Sequence, residues 1–478
     1  MSESALPRST LVPLIVACAL FMENFDATVI ATALPAIAAS MGEDPLRLSL
    51  AITAYLLSLA IFIPLSGWMA DRYGARRVFR NAILIFVLGS LACAASQTIG
   101  QLVAARLFQG LGGAMMVPVG RLVLLRSVDK RHLVTALSYL TIPALMAPIM
   151  APPVGGLIVT YTSWRVIFLI NLPIGALGWY LVNRYIHDTP DDEQPPLDLA
   201  GWMLLGGGLS GLVLGFENIG KHVLPDYVAP ALLAAGTLLL GLYALHARQE
   251  RAPILRLSLL RVATFRTSVT GGSLFRIGVG AFSVLMPMML QLGFGLSAVE
   301  SGLITFASAV GGLMMKTLAK SLTRRYGFRR LLVSNTLICG TALILCGCLR
   351  PFMPYALMIG FLGITGFLRS LQFTCVNAMA FADIDEDDMS QATSFSATAQ
   401  QLALSIGVGI GVQVLNISLW ARGATVLQNL DFTIAFLVVG LISLSSWYSF
   451  RLLSPDAGSS VSGHRLALAH QGPAPAGH

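Results

Sequence analysis

Two carboxylates lie deep within the long apolar stretches of this chain. Of its 23 acidic residues, Glu23 and Asp26 alone fall in the middle of such a stretch. They are three residues apart, so on a helix both face the same side. Each disfavours ionisation of the other and burial acts in the same direction, so at least one could bind and release a proton near neutral pH. The pattern predicts a proton-coupling site. As the alternative, either carboxylate is a structural partner of an arginine.

Basic side chains also lie at this depth. Arg106 is the natural partner of the two carboxylates, whereas Arg121, Arg276 and Arg369 have no evident acidic partner in the sequence. Four arginines against two carboxylates leave an excess of two positive charges, which would attract an anion. An ionised group at the centre of a transmembrane helix costs at least about 2.5–3.5 kcal/mol, so such an arginine points to function.

A second interpretation of these arginines stays open. Arg121 lies near the end of its apolar stretch, from which a long side chain can extend to the membrane interface. Arg276 and Arg369 are more central, and backbone carbonyls, Gln291 or Gln372 could accept their hydrogen bonds.

The elements that must position these groups are membrane-spanning helices. The chain has 478 residues, of which 55% are hydrophobic and 11% charged, against about 25% charged in soluble domains. Its apolar runs are continuous rather than alternating, which excludes an outer-membrane barrel. We expect an all-α membrane protein with about fourteen spans. They lie near 12–38, 48–70, 78–97, 101–125, 134–160, 164–186, 199–219, 227–246, 266–292, 298–320, 329–349, 354–380, 391–418 and 430–451.

The net charge of +8 reflects loops rather than a nucleic-acid surface. Lysines and arginines are concentrated in every second loop, and the positive-inside rule then places both termini in the cytoplasm. We expect a multi-pass protein of the plasma (inner) membrane with no cleavable signal peptide. All six cysteines fall inside apolar segments, so no disulfide, metal site or cofactor is expected.

An internal repeat divides the chain. The run Asp71–Arg77 (DRYGARR) recurs as Arg324–Arg330 (RRYGFRR), each time after the second span of a group of six. Two homologous six-helix halves are a transporter architecture with a substrate site between them. The predicted division is 1–186 for the first bundle, 187–265 for a linker with two additional spans, 266–452 for the second bundle and 453–478 for a disordered cytoplasmic tail.

Five segments resemble the major facilitator superfamily, in particular its fourteen-span drug:proton antiporters. Gly67–Arg77 (GWMADRYGARR) is similar to the superfamily's loop between spans two and three, and Arg106–Gly113 (RLFQGLGG) to its fourth-span motif. Asp26–Pro35 (DATVIATALP) is similar to the first span of these pumps. Pro152–Gly156 (PPVGG), followed by Trp164–Gly175 (WRVIFLINLPIG), is similar to the antiporter motif and the segment after it. Ala147 and Ala151 depart from the resemblance, since glycine is usual at both positions.

The resemblance implies alternating access and assigns Arg106 to proton coupling. Asp26, within the first-span motif, and Glu23, which the motif does not require, are the carboxylates expected to couple protons to export. The substrate cavity is expected between the halves. Its candidate residues are Arg276, Arg369, Arg121, Gln109 and Gln372. Around the fifth span, Pro152, Gly155 and Gly156 are expected to kink the helix and to let a neighbour pack closely.

The loop motif predicts a cytoplasmic gate. Gly67 allows close helix approach and Gly74 a tight turn, while Asp71 can accept hydrogen bonds from a helix N-terminus and pair with arginine. Arg72, Arg76 and Arg77 follow, and an acidic run at 383–388 lies on the same side. Ion pairs between the two would hold the gate closed. The alternative is that these charges are solvated signals of topology.

The predicted function is proton-coupled efflux of small toxic compounds. The excess of buried arginine favours a second possibility, export of organic anions such as a carboxylate or its metal complex. A receptor or channel on the same fold is less favoured because the loop motif and Asp26 are intact. No nucleophile and base meet at depth and no phosphate-binding loop exists, so neither an enzyme nor an ATP-driven pump is expected. The expected partners are the substrate, protons and the lipid bilayer, with no nucleic acid, and the chain is expected to act as a monomer.

Overall fold

The computed structural model describes residues 8–42, 45–128, 133–186, 196–218, 225, 227–424, 426–462 and 464. Within these residues the regular structure is helical throughout, because apolar segments in a bilayer must satisfy their backbone hydrogen bonds internally. The first half of the order is α1 Arg8–Met41, α2 Pro45–Phe62, α3 Ser66–Tyr73, α4 Ala75–Ala95, α5 Ile99–Ser127, α6 Leu133–Tyr161, α7 Arg165–Leu169 and α8 Asn171–Tyr185. The remainder is α9 Leu199–Asn218, α10 Val228–Gln249, α11 Ala263–Met288, α12 Ala298–Cys346, α13 Tyr355–Ala380, α14 Met389–Arg422, α15 Asn429–Arg451 and α16 Ser459–Ser462.

Twelve stretches of the described residues are long and apolar enough to cross a membrane. One of them, Glu300–Cys346, covers two predicted spans, and Gly327 inside it leaves helical geometry with a φ of 73°. The predicted fifth span corresponds to α6, a helix of 29 residues that is not among the twelve. The all-helical membrane fold is therefore confirmed, and the count of fourteen stays a prediction.

Both copies of the repeated loop turn at a glycine. Gly74, between α3 and α4, has a φ of 87°, and Gly327 in the second copy has a φ of 73°. Residues other than glycine rarely adopt a positive φ, so both copies of the R-Y-G sequence have glycine where the chain turns between two helices. The predicted tight turn at Gly74 is thus present in the structure.

Helix packing arranges the elements around two sets. In the first, α1 packs along α6, and α5 packs against both α2 and α4. In the second, α12 packs along α13, and α11 lies against α14 and α15. The additional hairpin of α9 and α10 contacts both sets, because α9 packs against α2 and also against α14. The domain boundaries themselves stay a prediction.

Local hydrogen bonds hold the α9–α10 hairpin together. Asp198 Oδ1 accepts from the backbone N–H of Gly201 at 2.8 Å and lies 2.8 Å from His246 Nε2. Glu250 lies close enough to complete a cluster of three possible metal ligands. Capping of α9 and the tie to α10 account for Asp198, so we assign no metal to the cluster.

The first residues of the predicted carboxyl-terminal tail pack against the second set of helices, and disorder of the tail from 453 stays a prediction. Leu453 and Val461 are buried, and α16 follows Gly458, which packs against Phe328 of α12. His464 Nδ1 lies 3.0 Å from the Arg324 carbonyl oxygen. The composition suggested a flexible tail, but two apolar side chains are enough to dock its first residues. Residues 465–478 of the predicted tail lie outside the described residues.

Candidate functional site

A buried polar network surrounds Asp26 in α1. Both carboxylate oxygens accept hydrogen bonds: Oδ2 from Arg106 Nη1 at 2.5 Å, and Oδ1 from Gln109 Nε2 at 3.0 Å and Asn171 Nδ2 at 2.8 Å. Ser90 Oγ accepts from the same two amides at 2.7 and 3.0 Å. Asp26, Arg106, Gln109, Asn171 and Ser90 are all fully buried. The predicted pairing of Arg106 with a first-span carboxylate is therefore present, and Asp26 has no unused oxygen.

Arg106 is fixed from several directions. Its Nη1 also donates to Gln109 Oε1 at 2.6 Å, and its Nε donates to the Ala51 carbonyl at 3.4 Å. The guanidinium carbon lies 4.3 Å from the centre of the Tyr55 ring, a cation–π contact. Nη2 has no hydrogen-bond partner among the described residues. The arginine thus joins α5 to α1 and α2 and retains one unused donor.

Glu23 differs sharply from Asp26. Its side chain is buried, with 7% of the residue exposed, and Oε2 has no hydrogen-bond partner in the part of the chain described. Tyr55 is its neighbour and close enough to interact, although its hydroxyl forms no hydrogen bond of good geometry with a described residue. Burying a carboxylate oxygen that accepts no hydrogen bond costs free energy when the group is ionised. The surroundings of the two carboxylates therefore differ, since Asp26 is paired and fully hydrogen-bonded whereas Glu23 has an oxygen without a partner among the described residues.

Glycines of the fourth-span motif bring these elements together. A Cβ on Gly110 would lie 2.5 Å from Ser58 Cβ in α2, and one on Gly113 would lie 2.6 Å from the Tyr55 hydroxyl. On another face of α5, a Cβ on Gly112 would lie 2.6 Å from the backbone nitrogen of Phe86 in α4. The absence of side chains lets α2 and α4 approach α5 closely. Tyr55 is thereby held beneath Arg106.

The candidate cavity residues do not form one group. Gln109 belongs to the Asp26 network rather than to a cavity. Gln372 accepts from Asn335 Nδ2 at 2.9 Å and donates to Thr336 Oγ1 at 2.6 Å, so it does not satisfy an arginine. Arg369 donates to Ser308 Oγ at 2.8 Å and lies 4.5 Å from the centre of the Phe282 ring. These contacts place it within the second set of helices.

Arg121 and Arg276 are brought together from different sets. Arg121, in α5, donates to Gln400 Oε1 in α14 at 3.4 Å, and Arg276, in α11, donates to Asn377 Oδ1 in α13 at 2.8 Å. Both reach the end of α13, because Phe381, whose ring centre lies 6.0 Å from the Arg121 guanidinium carbon, follows Asn377 by four residues. Arg121 is only 5% exposed, so the interpretation that its side chain extends to the membrane interface is wrong. Its side chain instead reaches the amide of Gln400 inside the bundle.

The loop motif forms the contact between the sets at the end of the bundle that carries most of the arginines, which we call the basic end. Asp71 accepts from Ser390 Oγ in the first turn of α14, and its other oxygen lies 3.4 Å from Arg126 Nη2. Ser394 Oγ donates to the carbonyls of Ile63 and Pro64 at 3.0 and 2.9 Å. A Cβ on Gly67 would lie 2.9 Å from the Ser390 carbonyl oxygen. The basic end is closed here by direct contact of α2 and α3 with α14.

The predicted ion pairs of this gate are arranged differently. Asp388, from the acidic run, pairs with Arg256 at 2.7 Å, a residue of the segment between α10 and α11. Arg76 donates to the Asn183 carbonyl of α8 at 2.6 Å, and Arg72 and Arg77 are exposed. The loop arginines thus face their own set of helices and solvent, and Asp71 provides the charged contact across the gate.

The fifth span contains one continuous helix, α6, over the proposed antiporter motif. Ala147, Ala151 and Gly155 are buried at four-residue spacing, which places them on one face of the helix, toward α1. The prediction that a neighbour packs closely at Gly156 is wrong, because a Cβ there would meet nothing within 4 Å. Gly156 is one residue past the buried face, about 100° around the helix. The side chain of Pro152 lies outside the described residues.

Several functional residues were missed in the sequence. Ser90, Asn171 and Tyr55 are neutral, so they carry no large cost in an apolar stretch and attract no attention individually. Asn171 was recoverable, because it is a lone amide in an otherwise apolar stretch.

Comparison with known proteins agrees with the sequence motifs. The family model described as Major Facilitator Superfamily matches residues 16–408 and 268–466. A protein of Pectobacterium carotovorum subsp. carotovorum (strain PC1), named "Putative multidrug resistance protein MdtD", is 37% identical over 377 residues, covering 78% of this chain and 80% of the relative. Its namesake in Escherichia coli (strain K12 / DH10B) is 36% identical over 383 residues, covering 80% and 81%.

Solved structures share the fold. The human organic anion transporter MFSD10 (TETRAN) superposes with a TM-score of 0.66 at 14% identity, covering 93% of this chain and 100% of that one. The proton:xylose symporter XylE, bound to 6-bromo-6-deoxy-D-glucose, superposes with a TM-score of 0.64 at 14% identity, covering 95% and 97%. At this identity the likeness concerns the helical architecture alone.

Proposed function

The chain belongs to the major facilitator superfamily of multi-pass membrane transporters, and on that premise we propose that it is a multidrug exporter driven by proton antiport. The relatives' name supports efflux of varied toxic compounds. The observation that carries proton coupling is the contrast between the two carboxylates of α1. Both oxygens of Asp26 accept hydrogen bonds, whereas Glu23 is buried with an oxygen, Oε2, that has no partner among the described residues.

The division of labour follows from this contrast. Arg106, Gln109 and Asn171 all donate to Asp26, which thereby joins α1 to α5 and α8. Glu23 carries the exchanged proton: protonation removes the charge that burial opposes, and deprotonation requires contact with water or a donor. Tyr55, beside Glu23 and beneath Arg106, connects the two groups.

Alternating access converts this proton into export. A proton entering from the outer side neutralises Glu23, and its release on the other side restores the charge while substrate moves outward. One elementary charge moved through 100 mV supplies about 2.3 kcal/mol. This corresponds to roughly a fiftyfold concentration ratio for each proton exchanged, which is sufficient for efflux.

The test is transport by proteoliposomes with an imposed pH gradient and ethidium as the probe. We expect Glu23→Gln to abolish gradient-driven ethidium transport, since an amide keeps the shape of the side chain but cannot exchange a proton. Asp456→Asn, which neutralises an exposed carboxylate near α16, should transport at the parent rate. Transport by Glu23→Gln at the parent rate, with the same dependence on pH, would show that Glu23 is not the coupling group.

A further inference from the structure

Arginines buried in this protein fall into two classes. Of those that the structure describes, Arg106 pairs with the buried Asp26. Arg121 and Arg276, which are 5% and 3% exposed, form no ion pair with any acidic side chain that the structure describes. Their acceptors are the neutral amides of Gln400 and Asn377, which satisfy one donor each and leave the charge uncompensated.

The two guanidinium groups leave donors unused. Nε and Nη1 of Arg121 and Nε of Arg276 are buried without a partner among the described residues. Aromatic rings flank both groups, with Phe381 6.0 Å from the Arg121 guanidinium carbon and Phe373 5.2 Å from that of Arg276. The pair therefore offers three donor nitrogens and two positive charges between apolar surfaces.

Like charges in this position oppose the conformation that brings them together. Arg121 belongs to α5 and Arg276 to α11, and the two meet the end of α13 at Phe381 and Asn377, one helical turn apart. Their like charges therefore repel where α5 of the first set contacts α14 of the second. A group that accepts from both would remove the repulsion and supply the missing acceptors. A carboxylate does so, because its two oxygens accept hydrogen bonds from planar guanidinium groups and its charge offsets theirs.

We propose that Arg121 and Arg276 together bind the carboxylate of an organic anion, which is exported by this protein. The site adds a substrate class to the proposed function. That the anion is exported rests on the proposed function. The flanking phenylalanines admit a carboxylate attached to an aromatic or aliphatic body.

The site's position connects binding to closure of the basic end. Gln400, the partner of Arg121, lies six residues beyond Ser394 on α14, about 9 Å deeper than the gate contact. An anion between the arginines draws α5 and α11 together directly beneath this contact. Without the anion, repulsion separates the two sets and opens the basic end. Substrate binding would thus itself favour the closed conformation.

The experiment measures binding to purified full-length protein in detergent, so it needs neither transport nor a proton gradient. The probes are salicylate and its amide, salicylamide, which share a ring and hydroxyl and differ in charge, with inorganic phosphate as a third. We expect salicylate to raise the unfolding temperature of the parent protein and of Glu23→Gln alike. Salicylamide should have no effect, and phosphate a weaker one because it lacks an apolar body.

Variants identify the site. Arg121→Gln and Arg276→Gln should each weaken salicylate binding by about tenfold or more, since each removes a charged donor. Without any ligand, both should unfold at or above the parent temperature, because the repulsion is gone. Arg165→Gln is the matched control, an arginine stacked on Trp164 with a neutral acceptor, Ser96, and it should bind as the parent does.

Three outcomes would overturn the proposal. They are no stabilisation of the parent protein by salicylate, equal stabilisation by salicylamide, or equal loss of binding in Arg165→Gln. A fall in the unfolding temperature of unliganded Arg121→Gln or Arg276→Gln would show that the arginines stabilise the fold as they stand, and would also count against it. Failure of ethidium transport in proteoliposomes, with salicylate binding intact, would instead contradict the exporter and leave the anion site in place.

Discussion

Glu23 and Asp26 have nearly the same chemistry and lie one helical turn apart, yet their surroundings are opposite. Arg106, Gln109 and Asn171 all donate to Asp26, and none of them donates to Glu23. Removing one member of a buried ion pair leaves the other charge uncompensated. Removing a charge that had no partner has no such cost.

Matched amide substitutions should therefore affect stability differently. We expect Asp26→Asn to lower the free energy of unfolding by about 3–5 kcal/mol, because the buried Arg106 loses its counter-charge. Glu23→Gln should change it by less than about 1 kcal/mol, since the carboxylate makes no hydrogen bond through Oε2. Denaturant unfolding in detergent micelles measures both. Similar losses in the two variants would contradict the assignment of Asp26 as the structural partner.

At the residue scale, the sequence predicted the charged members of the site and not their environment. An ionisable side chain inside a bilayer has a high free-energy cost, and this identifies Glu23, Asp26 and Arg106, each of which lies in an apolar stretch. It does not show which carboxylate receives the donors. The meeting of Arg121 with Arg276 was also beyond prediction, since they belong to different helices and no local spacing links them.

The helices depend on glycine where they approach most closely. Gly112 of α5 faces the backbone of α4, where a Cβ would lie 2.6 Å from the nitrogen of Phe86 and 2.7 Å from the carbonyl oxygen of Ala82. Backbone atoms cannot move aside as a side chain can. A single methyl group at this position must therefore separate the two helices.

Gly112→Ala should lower the free energy of unfolding by about 1–3 kcal/mol through overpacking. Gly100→Ala, in the same helix, is the control: a Cβ there meets nothing within 4 Å. It should stabilise the protein slightly or leave it unchanged, since alanine favours helix more than glycine does. Thermal unfolding in detergent compares the two variants. Equal stability of both would mean that α4 and α5 are not in close contact in the protein.

Span positions were predictable because about 20 apolar residues are needed to cross a bilayer. The predicted 78–97 and 430–451 agree with α4 and α15 to within three residues at each end. Which spans pack together was not predictable from the sequence, as the position of α9 against both α2 and α14 shows. A helix that is apolar all round carries little information about which neighbour each face meets.

Across the whole molecule, the closed basic end depends on a few contacts between α14 and the loop motif. The carboxylate of Asp71 accepts from Ser390 and pairs with Arg126, and Ser394 donates to the backbone of Ile63, between α2 and α3. Neutralising Asp71 weakens the charged part of this contact and leaves its shape. The balance between closed and open conformations should shift toward the open basic end.

Asp71→Asn should increase the rate at which a cysteine at position 394 reacts with a membrane-impermeant thiol reagent. We expect an increase of about tenfold, because losing one charge-assisted hydrogen bond raises the population of the open conformation by about that factor. The background is Ser394→Cys with Cys18 and Cys348 replaced by serine, since those two are not buried. Asp456→Asn in the same background controls for the change in net charge. An unchanged rate would mean that Asp71 does not stabilise the gate and that its charge serves topology alone.

The α9–α10 hairpin has a further consequence for the working transporter. Trp202 Nε1 of α9 donates to the Ile61 carbonyl of α2 at 2.8 Å, whereas toward α14 the ring of Phe216 lies over Gly409, which offers no side chain to hold it. If the two sets rotate during the proposed alternating access, α9 should move with α2 and slide over α14. The largely exposed α10 travels with it and displaces the surrounding lipid at every turnover. The cycle then experiences the viscosity of the bilayer, and export should slow in stiff, sterol-rich or gel-like membranes more than the chemistry of proton exchange alone would require.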